Sequence, residues 1–159
     1  MAVSEIDTIV CETTIAASPE TVFAFFTDTG LHTRWMGGSA QLEPRPGGTY
    51  AVDINDRARA RGTFLEVVPH SRIVFTFGWE GDAQPVQPGS STVEVTLTAT
   101  PDGTHVRLVH RGLAQLEARD QHRDGWQLYL ARLTRAAAGL DAGPDPGSNA
   151  TPPEGRMVS

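Results

Sequence analysis

Through the middle of the chain apolar residues alternate with polar ones, and near its end they recur every third or fourth position. Between residues 48 and 111 the alternation breaks only at turn-forming clusters, which predicts a series of antiparallel strands. Tyr50, Val52 and Ile54 share one face of a strand at Thr49–Asn55, and an Asn55-Asp56 turn returns the chain through Ala58–Val68. Pro69-His70-Ser71 leads into Arg72–Trp79, with Ile73, Phe75, Phe77 and Trp79 on one side. Ser91–Thr100 places Val93, Val95, Leu97 and Ala99 together, and Pro101-Asp102-Gly103 turns into Thr104–Arg111. Two further strands are predicted upstream, Ile6–Ile15 with Ile9, Cys11 and Ile15 inward, and a short one at Ser39–Glu43. Evenly spaced strands of this kind argue for an antiparallel sheet rather than βαβ units.

Helical signals flank the strands. Ser18-Pro19-Glu20 is a helix start: a capping hydroxyl, a proline pre-set for the first turn and an acid at the positive end of the dipole. Val22, Phe23 and Phe26 form its stripe, Asp28-Thr29-Gly30 breaks it, and Leu31–Trp35 forms a second short helix ended by Gly37-Gly38. A long amphipathic helix is predicted over 116–141, with Trp126, Tyr129, Leu130, Leu133, Ala137 and Leu140 on one face and His122 one turn before Trp126. From Gly143 the chain is rich in Gly, Pro, Ser, Asn and Asp, so 1–142 reads as one domain and 143–159 as a disordered tail.

Composition narrows the functional classes. The net charge of −6 does not suit a general polyanion binder, so no nucleic-acid partner is expected. All 13 basic residues are arginines, which removes Schiff-base and phosphate-loop lysine chemistry. The one cysteine, Cys11, cannot form an intrachain disulfide and reads as a small buried hydrophobe. No stretch is apolar for long enough to span a bilayer, and no basic segment followed by an apolar run opens the chain, so a cytoplasmic location is expected.

Several segments, taken in order, resemble a known family. They are Ile15 to Trp35 (I-x-x-S-P-E-x-V-F, then L-x-x-R-W), Gly47-Gly48-Thr49-Tyr50, and Gly62-Thr63-Phe64-Leu65-Glu66-Val67 with Arg72-Ile73-Val74-Phe75-Thr76. Val106-Arg107-Leu108-Val109-His110-Arg111-Gly112-Leu113 and His122-x-x-Gly125-Trp126, with Leu130 and Leu133, complete the set. Over residues 6–141 the pattern resembles the START-like (SRPBCC) superfamily, in the branch of the activator of heat-shock-protein-ninety ATPase homologue, C-terminal-like domain. The resemblance implies an α+β helix-grip fold: a seven-stranded antiparallel sheet wrapped around a long C-terminal helix, two short helices between the first two strands, and a cavity between sheet and helix. Members of the superfamily bind lipids, sterols, polyketides or hormones, and some catalyse cyclisation or dehydration.

The candidate cavity residues are Trp35, Tyr50, Phe64, Phe75, Phe77, Trp79, His110, His122, Trp126, Tyr129 and Leu130. Aromatic walls with few polar groups suit a small apolar or aromatic ligand. Strand parity turns His110 inward if Val106 and Leu108 face the core, and imidazole can serve as acid/base or as an orienting hydrogen bond. Binding without catalysis is the leading expectation. A cyclase, aromatase or hydratase using a cavity histidine, or a co-chaperone-like interaction module, stands as the alternative. No nucleophile elbow, phosphate loop or zinc-ligand spacing occurs, so no catalytic residue, metal or cofactor is assigned. A homodimer is left open. Arg57, Arg59 and Arg61 alternate along one strand and read as its solvated face, although Leu65 and Val67 share their parity; a β-bulge would reconcile the two. Gly62 suggests a bend or close approach of the helix, and Gly112 a positive φ.

Overall fold

A computed structural model describes residues 7–143 and 145–147. Seven strands form one antiparallel sheet: β1 Ile9–Ile15, β2 Ser39–Leu42, β3 Thr49–Asp53, β4 Arg59–Val68, β5 Arg72–Trp79, β6 Ser91–Thr100 and β7 Gly103–Arg111. Their order is β1-β7-β6-β5-β4-β3-β2, so every neighbour but β1–β7 is joined to the next in sequence. Helices α1 (Pro19–Thr27) and α2 (Thr29–His32) lie between β1 and β2, and α3 (Leu116–Ala137) comes after β7. This is the α+β helix-grip architecture that the pattern implied.

Local chemistry sets the helix ends. Ser18 Oγ accepts from the Thr21 amide at 3.2 Å, capping α1. Asp28 ends α1 by donating its own amide to the Ala24 carbonyl, then caps α2 by accepting from the Leu31 amide at 3.0 Å. The stripe of α1 differs from expectation: Val22, Phe25 and Phe26 are buried, whereas Phe23 turns toward His70. The second helix spans Thr29–His32 and continues as turns to Trp35. The long helix stops four residues short of the predicted end, because Gly139 takes φ +86° and the Leu140 amide closes back on the Arg135 carbonyl. Leu140, expected on the apolar face, is therefore exposed.

One face of the sheet carries the core. Tyr50, Val52, Ala60, Phe64, Ile73, Phe75, Phe77, Val93, Val95, Leu97, Val106 and Leu108 are all buried there, against Val22, Phe26, Trp35, Trp126, Leu130 and Leu133. The parity conflict in β4 resolves through a bulge between Phe64 and Glu66. Leu65 is the extra residue and is exposed, while Val67 packs on the core beside Ile73. Before the bulge the arginines face outward: Arg61 pairs with Asp53 at 2.7 Å and with Glu80 at 3.3 Å, and Arg59 reaches Glu80 at 3.4 Å.

The glycine expectations divide. Gly112 has φ +90°, as its position after the last strand suggested. A side chain at Gly62 would collide with the Thr76 carbonyl of β5, so the close approach there is of a strand and not of the helix. The expected boundary after Ala142 also needs correction. Asp145 is buried, and the Gly147 carbonyl accepts from Asn55 Nδ2 at 2.9 Å, so the packed domain runs to at least Gly147. Residues 148–159 of the expected tail lie outside the described residues.

Candidate functional site

Close backbone approach between α3 and the sheet is concentrated along β1. Opposite the central strands, the space under the helix is spanned by long side chains, most of them rings. Tyr50 of β3 stacks on Phe75 of β5 with centroids 4.1 Å apart and planes 17° apart. Phe64 meets both rings edge-on. Phe77 continues the row and touches Trp79, His110, His122 and Trp126, its centroid 5.1 Å from that of His110. Alternation along β5 places Phe75 and Phe77 on the same face, and helical spacing puts His122, Trp126, Tyr129, Leu130 and Leu133 opposite them.

At one end of this row both histidines are held by indoles. Trp126 Nε1–H donates to His110 Nδ1 at 3.0 Å. His110 must then carry its proton on Nε2, which donates to Ser91 Oγ at 2.8 Å, and the Ser91 hydroxyl donates to the Phe77 carbonyl at 2.6 Å. Trp79 Nε1–H donates to His122 Nε2 at 3.0 Å, so His122 carries its proton on Nδ1 and donates it to the Ala118 carbonyl at 2.7 Å. The two rings meet edge to face at 5.2 Å. Burial, with the neighbouring His122 adding to it, pushes His110 down to about 3, and burial also lowers His122. Both are neutral at pH 7, and neither has a free ring nitrogen.

The other end is built from Trp35, His32, Tyr50 and Tyr129. Trp35 is fully buried, its indole donating to the Phe25 carbonyl at 2.9 Å. His32 leans on it at 4.8 Å and meets Tyr50 edge to face at 6.2 Å. Burial drives His32 down to about 4, opposed by backbone hydrogen bonding at Met36 and at His32 itself. Burial, with nearby Tyr129 adding to it, pushes the Tyr50 phenol far above its ordinary value. Tyr50 Oη and His32 Nδ1 are buried without a hydrogen-bond partner.

Ala142 and Gly143, with residues 145–147, strap this end. Asp145 accepts from the Gly37 amide at 2.7 Å, from the Tyr129 hydroxyl at 3.0 Å and from the Gly147 amide at 2.7 Å. Burial first, and the Asp145 carboxylate second, raise Tyr129. Buried Arg132 ties the same segment to α3 by donating to the carbonyls of Trp35, Ala142 and Gly143 at 2.8–2.9 Å.

Every candidate cavity residue thus lies in one continuous cluster between sheet and helix; all are buried except Trp79, His122 and Tyr129, which are partly exposed. Four contributors were missed: His32, Ser91, Arg132 and Asp145. His32 was within reach, since it precedes Trp35 by three residues in a predicted helix and so shares its face. Arg132 likewise stands three residues after Tyr129. Ser91 and Asp145 carry no local signal. A separate groove of about 220 Å³ runs along the seam of β1 and α3, between Val10–Thr13 and Gln127, Leu130 and Ala131. Among the described residues no group of three or more His, Cys, Asp or Glu side chains is placed to hold a metal, and no described helix is long and apolar enough to cross a membrane.

Sheet, grip helix and aromatic interior define an SRPBCC-type domain. The family model of the activator of Hsp90 ATPase homolog 1-like protein matches residues 16–138, and the chain belongs to that family. An AHSA1-like protein from Rhizobium etli is 43% identical, with 96% of this chain and 94% of that chain covered and a TM-score of 0.71. A Mesorhizobium loti protein is 24% identical over 84% of this chain and 98% of that chain, with a TM-score of 0.75. DynU16, from the dynemicin biosynthetic locus, is 22% identical over 86% of this chain and 49% of that chain, also with a TM-score of 0.75. No curated protein matches the chain in sequence.

Proposed function

We propose that this protein is a cytoplasmic, non-catalytic binder of a small apolar or aromatic molecule, held between the sheet and α3. The observation that carries this reading is the way the middle of the fold is filled. Where α3 stands away from β3–β6, the space is occupied by rings that touch edge-on or stacked, not by closely approaching backbone. Side chains can rotate aside for a ligand at far lower cost than main chain can move, and the walls they leave are aromatic. The presence of one fold relative in a biosynthetic locus is compatible with a role beside small-molecule chemistry. Catalysis by His110 or His122 is the less favoured reading. A general acid or base must reach its substrate through a ring nitrogen, and all four nitrogens of His110 and His122 are engaged.

Titration with N-phenyl-1-naphthylamine, an uncharged fluorescent ring compound, tests the reading. Saturable one-to-one binding that quenches Trp126 is expected, with the complex visible by native mass spectrometry. A flat titration at all probe concentrations would mean a solid core with no ligand site.

A further inference from the structure

We propose that Tyr50 and His32 form the polar anchor of this ligand site, and that the anchor selects uncharged aromatic molecules bearing a hydroxyl or carbonyl. This rests on the small-molecule reading above. Two observations carry it. Tyr50 and His32 are each about 1% exposed, yet Tyr50 Oη and His32 Nδ1 have no hydrogen-bond partner. Elsewhere in the same cluster buried polar atoms are fully matched: both other histidines, all three indoles and Ser91 have partners. An unmatched buried polar atom is costly, and two in rings that touch each other mark a place where hydrogen bonding is available to something else.

The chemistry of the end defines what fits. The phenol of Tyr50 stays protonated and donates, and His32, neutral above about pH 4, offers a lone pair or an N–H at Nδ1. Phe64 and Phe75 against Tyr50, and Trp35 against His32, supply flat apolar contact around them. Among the described residues no cationic donor is aimed at Tyr50 or His32: the guanidinium of Arg132 is directed at the carbonyls of Trp35, Ala142 and Gly143. The buried Asp145 carboxylate behind Tyr129 would repel one. A carboxylate or phosphate ligand would therefore bear its full desolvation penalty here, and a phenol or aryl ketone would not.

The test uses naphthalene, 2-naphthol and 2-naphthoate as probes on the full chain and on Tyr50→Phe. That substitution removes only an unpartnered hydroxyl, so it should fold at least as stably as the parent. In the parent, 2-naphthol should bind more tightly than naphthalene, and 2-naphthoate more weakly than either. Tyr50→Phe should cut 2-naphthol affinity roughly three- to tenfold and leave naphthalene unchanged. Equal loss for both probes, no loss for 2-naphthol, or preference for 2-naphthoate would overturn the anchor while leaving an apolar site in place. Failure of all three probes to bind either protein would instead remove the small-molecule reading itself.

Discussion

Trp126 Nε1 lies 3.0 Å from His110 Nδ1, with both residues buried. The bond joins the middle of α3 to the end of β7 and fixes the tautomer of a histidine that burial keeps neutral. Trp126→Ala should cost ~3–5 kcal/mol, because it deletes a large buried side chain and leaves a void. Trp126→Phe keeps most of the ring volume but strips His110 of its donor, and should cost ~1–3 kcal/mol. Urea denaturation of both variants measures this; a Trp126→Phe variant as stable as the parent would mean that the hydrogen bond contributes nothing beyond packing.

Acid should weaken the fold through its buried histidines. His32 and His110 have folded-state values of about 4 and about 3, below the 6.5 of a free imidazole. Between those values and 6.5 the unfolded chain binds more protons than the folded one. Stability is therefore complete above pH 6.5 and falls as pH drops toward 4, by an amount on the order of a few kcal/mol. Denaturation midpoints at pH 7, 6, 5 and 4 record the slope. Imidazole nitrogen NMR at pH 6 should show both rings neutral, with His110 protonated at Nε2; a charged His110 in the folded protein at that pH would contradict the assignment.

Truncation after Ala142 should lower the melting temperature by roughly 5–10 °C, because it removes the buried Asp145 contacts to Gly37 and Tyr129 and the Asn55–Gly147 bond. Truncation after Gly147 should leave those contacts, and most of the melting temperature, intact. Calorimetry of the two shortened chains separates the contribution of the strap from that of residues 148–159.

Gly62→Ala and Gly112→Ala should both destabilise, for separate reasons. The first forces β4 off the Thr76 carbonyl of β5, and the second puts a side chain at φ +90° within 2.8 Å of the Ser90 carbonyl. A loss of ~1–3 kcal/mol at each is expected from strain and backbone displacement. Because the sites lie on different strand pairs, the double variant should show the sum, which denaturant titration can check.

Periodicity made the elements legible. Strand parity alone turned His110 inward with Val106 and Leu108, and the spacing of three and four put Trp126, Tyr129 and Leu133 on one face of α3. The resemblance in motif order then supplied the topology. Single-residue signals that depend on backbone conformation were legible only in part: the place of Gly112 after a strand pointed to a positive φ, while Gly139, which ends α3 by the same means, sits inside a run whose apolar spacing continues past it to Leu140.

The set of elements, and most of the residues each turns inward, were determined by the sequence itself, because both arise from periods of 2.0 and 3.6 residues that are properties of the local backbone; Phe25 in place of Phe23 and the exposed Leu140 are the exceptions. Tertiary structure alone decided which inward residues meet. The pairing of Trp126 with His110 and of Trp79 with His122, the bulge that reconciles the two halves of β4, the closing of Asp145 over Tyr129, and the unmatched Tyr50 hydroxyl beside His32 all join residues distant in the chain or depend on strand register. Nothing in a local window encodes such distances; they arise when the sheet curves around α3 and burial forces each polar atom to find a partner or go without one.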